Sequence, residues 1–132
     1  MGSGFVYICR TCETHFMARS GGGFMFDLLH CDTCGRTRSV SHQDLGDIHL
    51  GFVKGRPGPY AVARAAMDRR IQREFPGEAL TRDEYHAAAE ATVATCDCGG
   101  HFTYDAPSRC PECRSTQDQW DKDPDGPMMF ID

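Results

Sequence analysis

The sequence has little of what builds a large apolar core. Leu, Ile and Val are few among its 132 residues, and the mean hydropathy is −0.47. No apolar run is long enough to span a bilayer, and no basic start leads into an apolar stretch of the kind a secretory signal needs. These absences argue against a membrane or secreted protein, and we expect a cytoplasmic location.

Motifs that carry catalysis are also missing. The sequence shows no phosphate-binding loop, no nucleophile with an adjacent base, and no repeat of the length that builds solenoids. We therefore expect a protein that is not an enzyme.

Cysteine is the residue type in excess, with eight in the chain. Such a count indicates that cross-links or metals do part of the stabilising. In a reducing cytosol, paired cysteines are more often metal ligands than disulfides. Two sets are separated by a long cysteine-free stretch: Cys9, Cys12, Cys31 and Cys34, then Cys96, Cys98, Cys110 and Cys113.

The spacing within each set favours zinc. A Cys-x2-Cys turn points two thiolates to one side, and two such turns at the ends of a hairpin complete a tetrahedron with Zn–S bonds of about 2.3 Å. The spacers of eighteen and eleven residues both suffice for a hairpin. The pair Cys96-Asp97-Cys98 is one residue short, and Gly99-Gly100 would let the backbone fold tightly beneath the metal. We predict two Zn²⁺ per chain, one for each local set.

Both modules resemble zinc ribbons, the rubredoxin-like group of small four-cysteine folds. The segments that carry the resemblance are Cys31-Asp32-Thr33-Cys34-Gly35 and Cys110-Pro111-Glu112-Cys113. The resemblance covers about half of the chain and implies a fold rather than an activity. Glu13 and Arg114 stand where the knuckle often has Gly, which makes the iron-binding, electron-transfer version of the fold less favoured.

Three other arrangements of the cysteines stay open. A rubredoxin-like iron site would make the protein an electron carrier, and disulfides or a redox Cys-x-x-Cys would need no metal. In a cross-braced arrangement, Cys9 and Cys12 would share a metal with Cys96 and Cys98. The entropy of closing a loop of some eighty residues speaks against that arrangement.

The pattern of elements predicts a small α+β fold with two four-cysteine zinc ribbons flanking a helical hairpin. We divide the chain into an N-terminal ribbon at 5–42, a linker with the helical hairpin at 43–95, and a C-terminal ribbon with an acidic tail at 96–132. Strands are expected at 5–8, 15–18, 24–30, 37–40, 102–104, 117–120 and 128–131.

The helical hairpin is expected at about 59–75 and 82–94. Pro59 can open the first helix, and the motif Thr81-x-x-Glu84 fits a capping box for the second. The first helix should bury one face, formed by Tyr60, Ala63, Met67, Ile71 and Phe75. The second should bury a stripe formed by Tyr85, Ala88, Ala89, Thr92 and Val93.

The formal charge of −5 is unevenly spread. Residues 1–75 carry ten Lys/Arg and seven Asp/Glu, a balance of +3, and residues 76–132 carry four and twelve, a balance of −8. The acidic half argues against broad binding of nucleic acid, so the first expectation is a protein partner. Nucleic-acid binding through the basic half is the alternative, through Arg36, Arg38, Lys54, Arg56, Arg64, Arg69, Arg70 and Arg73.

A group of polar residues follows the first ribbon: His42, Asp44, Asp47 and His49. It could form a third metal site or a general acid–base cluster, and it could equally be a polar linker. Its spacing matches no motif of known mechanism, so a linker is expected. His15, His30 and His101 lie near cysteines in the sequence, and we expect them to surround the metal sites or lie on the surface.

Overall fold

The structure, a computed structural model, describes residues 2–58 and 62–131. The described residues form seven strands: β1 (Gly2–Cys9), β2 (His15–Ser20), β3 (Phe26–Cys31), β4 (Thr37–Ser41), β5 (Phe102–Thr103), β6 (Trp120–Lys122) and β7 (Met128–Ile131). They also form four α-helices: α1 (His42–Leu45), α2 (Asp47–Lys54), α3 (Ala65–Glu74) and α4 (Arg82–Thr92). The small mixed α/β character of the fold is therefore as predicted.

Six strands lie close to the predicted stretches, but the strand predicted at 117–120 is a 3₁₀ turn at Gln117–Gln119, and β6 begins at Trp120. The strands form two sheets. In the first sheet β1 is central: β2 pairs along one side of it, and β6 and β7 pair antiparallel with its two ends. In the second sheet the order is β4-β3-β5, with β5 antiparallel to β3. Each sheet thus combines strands from the beginning of the chain with strands from its last part.

The chain divides into two compact units, and the predicted boundaries differ from this division. One unit consists of Met1–Ser39 together with Ala94–Asp132, and we call it the β-unit. The other is Val40–Val93, the helical unit. The two cysteine-rich segments at 5–42 and 96–132 therefore belong largely to one unit, because β1 and β3 take their partner strands from the far end of the chain.

Aromatic packing around two cysteines forms part of the core of the β-unit. Cys9, Cys110 and Trp120 are buried together, with Tyr7 and Phe16 packed against them. The Phe16 ring meets the Trp120 ring edge-on, with centroids 4.7 Å apart. Such aromatic pairs contribute about 0.5–1.5 kcal/mol beyond the area they bury. With few aliphatic side chains available, thiols and aromatic rings supply much of the interior.

The stretch expected to be a linker is helical. Ser41 caps α1 by accepting a hydrogen bond from the Asp44 N–H at 3.0 Å, and Gly46, at φ 55°, separates α1 from α2. Leu45 and Val53 are buried in the helical unit, as are His42 and His49. The linker prediction is corrected because this segment has an apolar face that the unit buries.

The two predicted helices appear as α3 and α4, with a 3₁₀ turn at Val62–Arg64 before α3. Both pack chiefly on α2 rather than on each other, so the predicted helical hairpin is wrong. The capping box at α4 is confirmed: the Glu84 N–H donates to Thr81 Oγ1, and Glu84 accepts from the Thr81 N–H. The buried face of α3 differs from the prediction, since Met67 is 48% exposed and Asp68 only 1%. Pro59 and Tyr60 lie outside the described residues. None of the described helices has the length and apolar character needed to cross a membrane.

Candidate metal centres

The eight cysteines gather into two sets of four, and all eight are free thiols. The first and the last cysteine pairs of the sequence form the outer site, which consists of Cys9, Cys12, Cys110 and Cys113. The inner site consists of Cys31, Cys34, Cys96 and Cys98. Within each set the sulfurs all lie within 4.8 Å of one another, so each set could hold one metal ion.

This grouping corrects the predicted local pairing. Cys9 and Cys12 do not share a site with Cys31 and Cys34, nor with Cys96 and Cys98 as in the cross-braced alternative. The physical reason is strand pairing: Cys9 is paired with Trp120 of β6, and Cys31 with Phe102 of β5. The sites are nested, with the first knuckle joined to the last and the second to the third.

The four knuckles share one backbone pattern. In all four, the N–H of the residue after the second cysteine donates to the carbonyl of the first cysteine, as Glu13 does to Cys9 at 2.8 Å. In three of them, the N–H of the first cysteine also donates to the carbonyl five residues onward, as Cys9 does to Thr14 at 3.0 Å. The residue after the second cysteine has positive φ in all four knuckles: Glu13, Gly35, Gly99 and Arg114. This closure points both thiols of a knuckle to the same side.

The short knuckle at Cys96 closes in the same way with one residue fewer. The Gly99 N–H donates to the Cys96 carbonyl at 2.8 Å, and the Cys96 N–H to the Gly100 carbonyl at 2.9 Å. A Cβ on Gly100 would lie only 2.5 Å from Cys31 Sγ. The backbone at Gly100 therefore runs directly against a ligand sulfur, in accordance with the role expected for the glycine pair.

The spacing of the sulfurs fits a tetrahedral metal. Across the outer site, Cys9 Sγ lies 3.5 Å from Cys113 Sγ, and Cys12 Sγ lies 3.5 Å from Cys110 Sγ. The corresponding distances in the inner site are 3.4 and 3.6 Å. Four sulfurs at about 2.3 Å from a central zinc would be about 3.8 Å apart, so only a small expansion is needed.

In the outer site, side-chain hydroxyls contact the sulfurs. Ser115 Oγ lies 3.1 Å from Cys9 Sγ and 3.2 Å from Cys113 Sγ. Trp120 Nε1 donates to the same oxygen at 3.2 Å, which leaves the Ser115 hydroxyl proton directed to a sulfur. The Ser115 hydrogen bond is the main reason that the pKa of Cys9 falls to about 6, although burial opposes it. Burial raises the pKa of Cys110 to about 11.

In the inner site, the backbone makes the contacts to sulfur. The N–H groups of Thr33 and Cys34 donate to Cys31 Sγ at 3.4 and 3.5 Å. Burial acts to raise the pKa of Cys31, but these donors and the neighbouring thiols outweigh it and lower the pKa to about 6. Burial dominates at Cys34 and raises its pKa to about 12.

Each site thus combines at least one thiol whose pKa is lowered with one whose pKa is raised. A set of this kind does not present four thiolates near neutral pH by itself, because the charges repel and the buried thiols lack solvation. A bound divalent cation supplies the missing positive charge and deprotonates coordinating thiols. The residues therefore fit a four-thiolate metal site, which the eight cysteines would complete without another ligand.

The polar group at His42, Asp44, Asp47 and His49 does not converge into a third site. Among residues 2–58 and 62–131, the two cysteine sets are the only groups of His, Cys, Asp and Glu placed to hold a metal. His42 and His49 are buried and their rings stack, with centroids 3.9 Å apart. Asp44 and Asp47 lie on the surface.

The three histidines near the cysteines have structural contacts. His30 is buried, and its Nε2 lies 3.1 Å from the Arg19 carbonyl and 3.0 Å from Ser108 Oγ. His15 lies 4.0 Å from Asp123, and the His101 N–H donates to Asp32 Oδ1 at 2.9 Å. None of these histidines belongs to either cysteine set.

The basic residues predicted to meet nucleic acid are divided between the two units. In the β-unit, Arg36 contacts Asp97 at 3.2 Å, and Arg38 lies over the Phe102 ring. The other six residues belong to the helical unit. There Lys54 donates to the carbonyls of Phe75 and Gly77, and Arg70 pairs with Glu74 at 2.8 Å.

Sequence reasoning missed Ser115 and Trp120 as neighbours of the metal site. Ser115 stands two residues after Cys113, and Thr14 stands two residues after Cys12. A hydroxyl two residues after the second cysteine was the available signal. Nothing comparable marked Trp120, since its contact depends on β6 pairing with β1.

Comparison with known proteins identifies a family for the chain. Residues 5–119 match the family described as "Domain of unknown function (DUF8255)", and the chain belongs to that family. No curated protein and no solved structure matches the chain. The match spans all eight cysteines, so the complete nested arrangement lies within the family domain.

Proposed function

We propose that this protein is a cytoplasmic, non-enzymatic zinc-binding protein that acts as a protein–protein interaction or adaptor module. Its two four-cysteine sites would each hold one structural Zn²⁺. The observation that carries the proposal is the nested grouping of the cysteines, in which each set joins a knuckle from the first part of the chain to one from the last.

A structural role follows from the ligand set. Four thiolates fill the coordination of zinc and leave no position for the water that a catalytic site needs. Each metal would tie together cysteines that lie far apart in the sequence, since the contacting pairs are separated by 62 to 104 positions. A unit with few aliphatic side chains gains much of its stability from such a link, since binding to the folded site is coupled to folding.

A protein partner is favoured over nucleic acid by the charge of the β-unit. Its seven Lys/Arg and eleven Asp/Glu give a balance of −4. Eight thiolates and two Zn²⁺ would add a further −4, making the unit about −8. Residues 1–39 of this unit carry four Lys/Arg and three Asp/Glu, so its acidic last part dominates and would repel a phosphate backbone. The helical unit holds the other six predicted basic residues, but its seven Lys/Arg and eight Asp/Glu give a balance of −1.

Exposed apolar side chains support an interaction role. Large apolar residues that are substantially exposed occur in both units: Met25, Val62, Met67, Met128, Met129 and Phe130. Three of them are consecutive in β7, which is more than scattered exposure would give. An adaptor needs such surfaces, whereas a purely structural metal domain does not.

Metal analysis of the purified protein tests the zinc sites. Native mass spectrometry should find two Zn²⁺ per chain, and the protein should show no absorption band in the visible range. A coloured, redox-active protein would establish the rubredoxin-like iron alternative instead. More than two metals per chain would revive a site at His42, Asp44, Asp47 and His49.

Two binding experiments test the interaction role. Affinity capture from the native host with the zinc-loaded chain should retain a specific, stoichiometric protein partner. A mobility-shift titration with nucleic acid should show no complex, even at low salt. Binding that weakens steeply as salt rises would instead support the nucleic-acid alternative.

A further inference from the structure

The C-terminal strand β7 is an edge of the first sheet. It pairs with β1 from Met128 opposite Phe5 to Ile131 opposite Gly2. Within residues 2–58 and 62–131, no strand pairs with its other side. The N–H and C=O groups on that side form a row that can accept a further strand.

The side chains of β7 are exposed, and two of them lie opposite small residues of β1. Phe130 lies opposite Ser3, and Met129 opposite Gly4, so β1 offers little to cover them. Phe130 is 74% exposed, Met128 51% and Met129 42%. Since neighbours alternate between faces, Met128 and Phe130 share one face and Met129 lies on the other. Both faces of this edge therefore carry uncovered apolar surface.

The edge also lacks the usual protection against pairing. Proteins commonly place charged residues, above all Lys, on exposed edge strands. β2 carries Arg19, and β6 carries Asp121 and Lys122. The described side chains of β7, at 128–130, carry no charge. An apolar edge strand without charge is an aggregation hazard unless a partner covers it.

The charge around β7 indicates the chemistry of that partner. The turn and strand before β7 carry Asp121, Asp123 and Asp125 against Lys122, and the whole β-unit has a formal balance of −4 before its thiolates are counted. A second copy pairing edge to edge would bring two such acidic units together, at a cost in repulsion. A cationic segment gains from the same field.

We propose that β7 binds an extended segment of a partner protein, in which apolar residues alternate with Lys or Arg, as an added antiparallel or parallel strand. The inference rests on the proposed interaction function and names the surface and the partner class. Main-chain hydrogen bonds to β7 supply affinity that is independent of sequence. The apolar side chains pack beside Met128 and Phe130, and the basic ones meet carboxylates such as Asp125 at the rim.

A peptide-binding experiment tests the proposal directly. The probe is a short fluorescein-labelled peptide in which Lys and Val alternate, titrated with the zinc-loaded full chain and followed by anisotropy. We expect saturable binding that weakens several-fold when salt rises from about 0.05 to 0.5 M. A peptide with Glu in place of Lys, and one N-methylated at every residue so that both of its edges are blocked, should not bind. Equal binding of the N-methylated peptide would overturn strand addition.

Variants localise the binding to β7. Phe130→Lys should lower the affinity for the Lys/Val peptide by about tenfold or more, since it removes the most exposed apolar side chain among residues 128–130 of β7 and adds a charge that repels the peptide. Phe130→Ser, which removes only the apolar side chain, should lower the affinity less. Val62→Lys is the matched control, because Val62 is 92% exposed but belongs to the helical unit. Metal content should stay at that of the unaltered chain in all three. An unchanged affinity of Phe130→Lys would overturn the assignment.

Two further outcomes separate this inference from the proposed function. If affinity capture retains a partner equally with the unaltered chain and with Phe130→Lys, the interaction function stands and the β7 assignment fails. If the unaltered chain captures no partner and binds no peptide, both fail. A dimer in analytical ultracentrifugation that Phe130→Lys dissolves would assign the edge to a second copy and overturn the cationic partner.

Discussion

The outer and inner sites each consist of four thiols on the same kind of knuckle backbone, yet the residues around the thiols differ. In the outer site the two positive-φ positions are Glu13 and Arg114, and in the inner site they are Gly35 and Gly99. Backbone N–H groups donate to sulfur in both sites. In addition, side-chain hydroxyls contact the sulfurs of the outer site, whereas in the inner site the backbone at Gly100 runs close against Cys31.

This difference predicts two kinds of sensitivity. The inner site depends on the absence of side chains, so added bulk should damage it more than loss of a polar group. The outer site depends on polar side chains and tolerates bulk at its positive-φ positions, at the conformational cost of a left-handed backbone. The variants below test that contrast, from the largest expected effect to the smallest.

Removing a ligand should have the largest effect and should separate the sites. We expect Cys110→Ser and Cys96→Ser each to lose one of the two metals, since three thiolates bind zinc far more weakly than four. The single Trp of the chain packs against Cys9 and Cys110. Trp fluorescence should therefore change strongly in Cys110→Ser and little in Cys96→Ser. Equal changes in the two variants would contradict independent sites.

Adding one methyl group at Gly100 should damage the inner site alone. The new Cβ would lie 2.5 Å from Cys31 Sγ, so a ligand sulfur must move. We expect Gly100→Ala to lower zinc affinity at the inner site by about a hundredfold, measured by competition with a chelator. Gly99→Ala is the control: it meets nothing within 4 Å and adds only strain at φ +91°, about 1 kcal/mol. Similar losses in both variants would refute the contact.

Deleting the Ser115 hydroxyl should weaken the outer site. Ser115→Ala removes the donor to Cys9 and leaves Trp120 Nε1 without that acceptor. Loss of such a supporting hydrogen bond typically lowers metal affinity about 10–100-fold. Thr33→Ala is the comparison in the inner site, where Thr33 contacts sulfur through its backbone N–H, and it should leave affinity nearly unchanged. A larger loss in Thr33→Ala would reverse the contrast.

Replacing the strained residues of the outer site should have the smallest effect, in the stabilising direction. Glu13 and Arg114 have φ of 60° and 63°, which glycine adopts without steric penalty. We expect Glu13→Gly and Arg114→Gly each to raise the free energy of unfolding by roughly 0.5–1 kcal/mol, less any loss to greater freedom of the unfolded chain. Urea denaturation at a buffered zinc concentration measures it. Destabilisation by both would show that these side chains support the site.

The sequence was sufficient for local features. Six of the seven strand positions and the Thr81–Glu84 cap were predicted because each depends on residues a few positions apart. The α1–α2 segment was missed although Leu45, Ile48, Phe52 and Val53 have helical spacing. Its histidines and aspartates drew the interpretation toward a polar linker, and Gly46 divided the periodic stretch in two.

The nested pairing could not be predicted because it depends on contacts between distant strands. Loop-closure entropy favours local pairing, but the preference is small: extending a loop from about 19 to about 98 residues costs only about 1.5 kcal/mol. The pairing of β1 with β6 and β7, and of β3 with β5, outweighs that cost. The helical unit between Val40 and Val93 shortens the effective loop further by folding within it.

Counting metals in two double variants tests the nested pairing most directly. If the outer site combines Cys9 with Cys110, then Cys9→Ser/Cys110→Ser removes ligands from one site and should retain one Zn²⁺ in native mass spectrometry. Cys9→Ser/Cys31→Ser removes a ligand from each site and should retain none. The opposite result, with one zinc kept in Cys9→Ser/Cys31→Ser and none in Cys9→Ser/Cys110→Ser, would contradict nesting and establish two local ribbons.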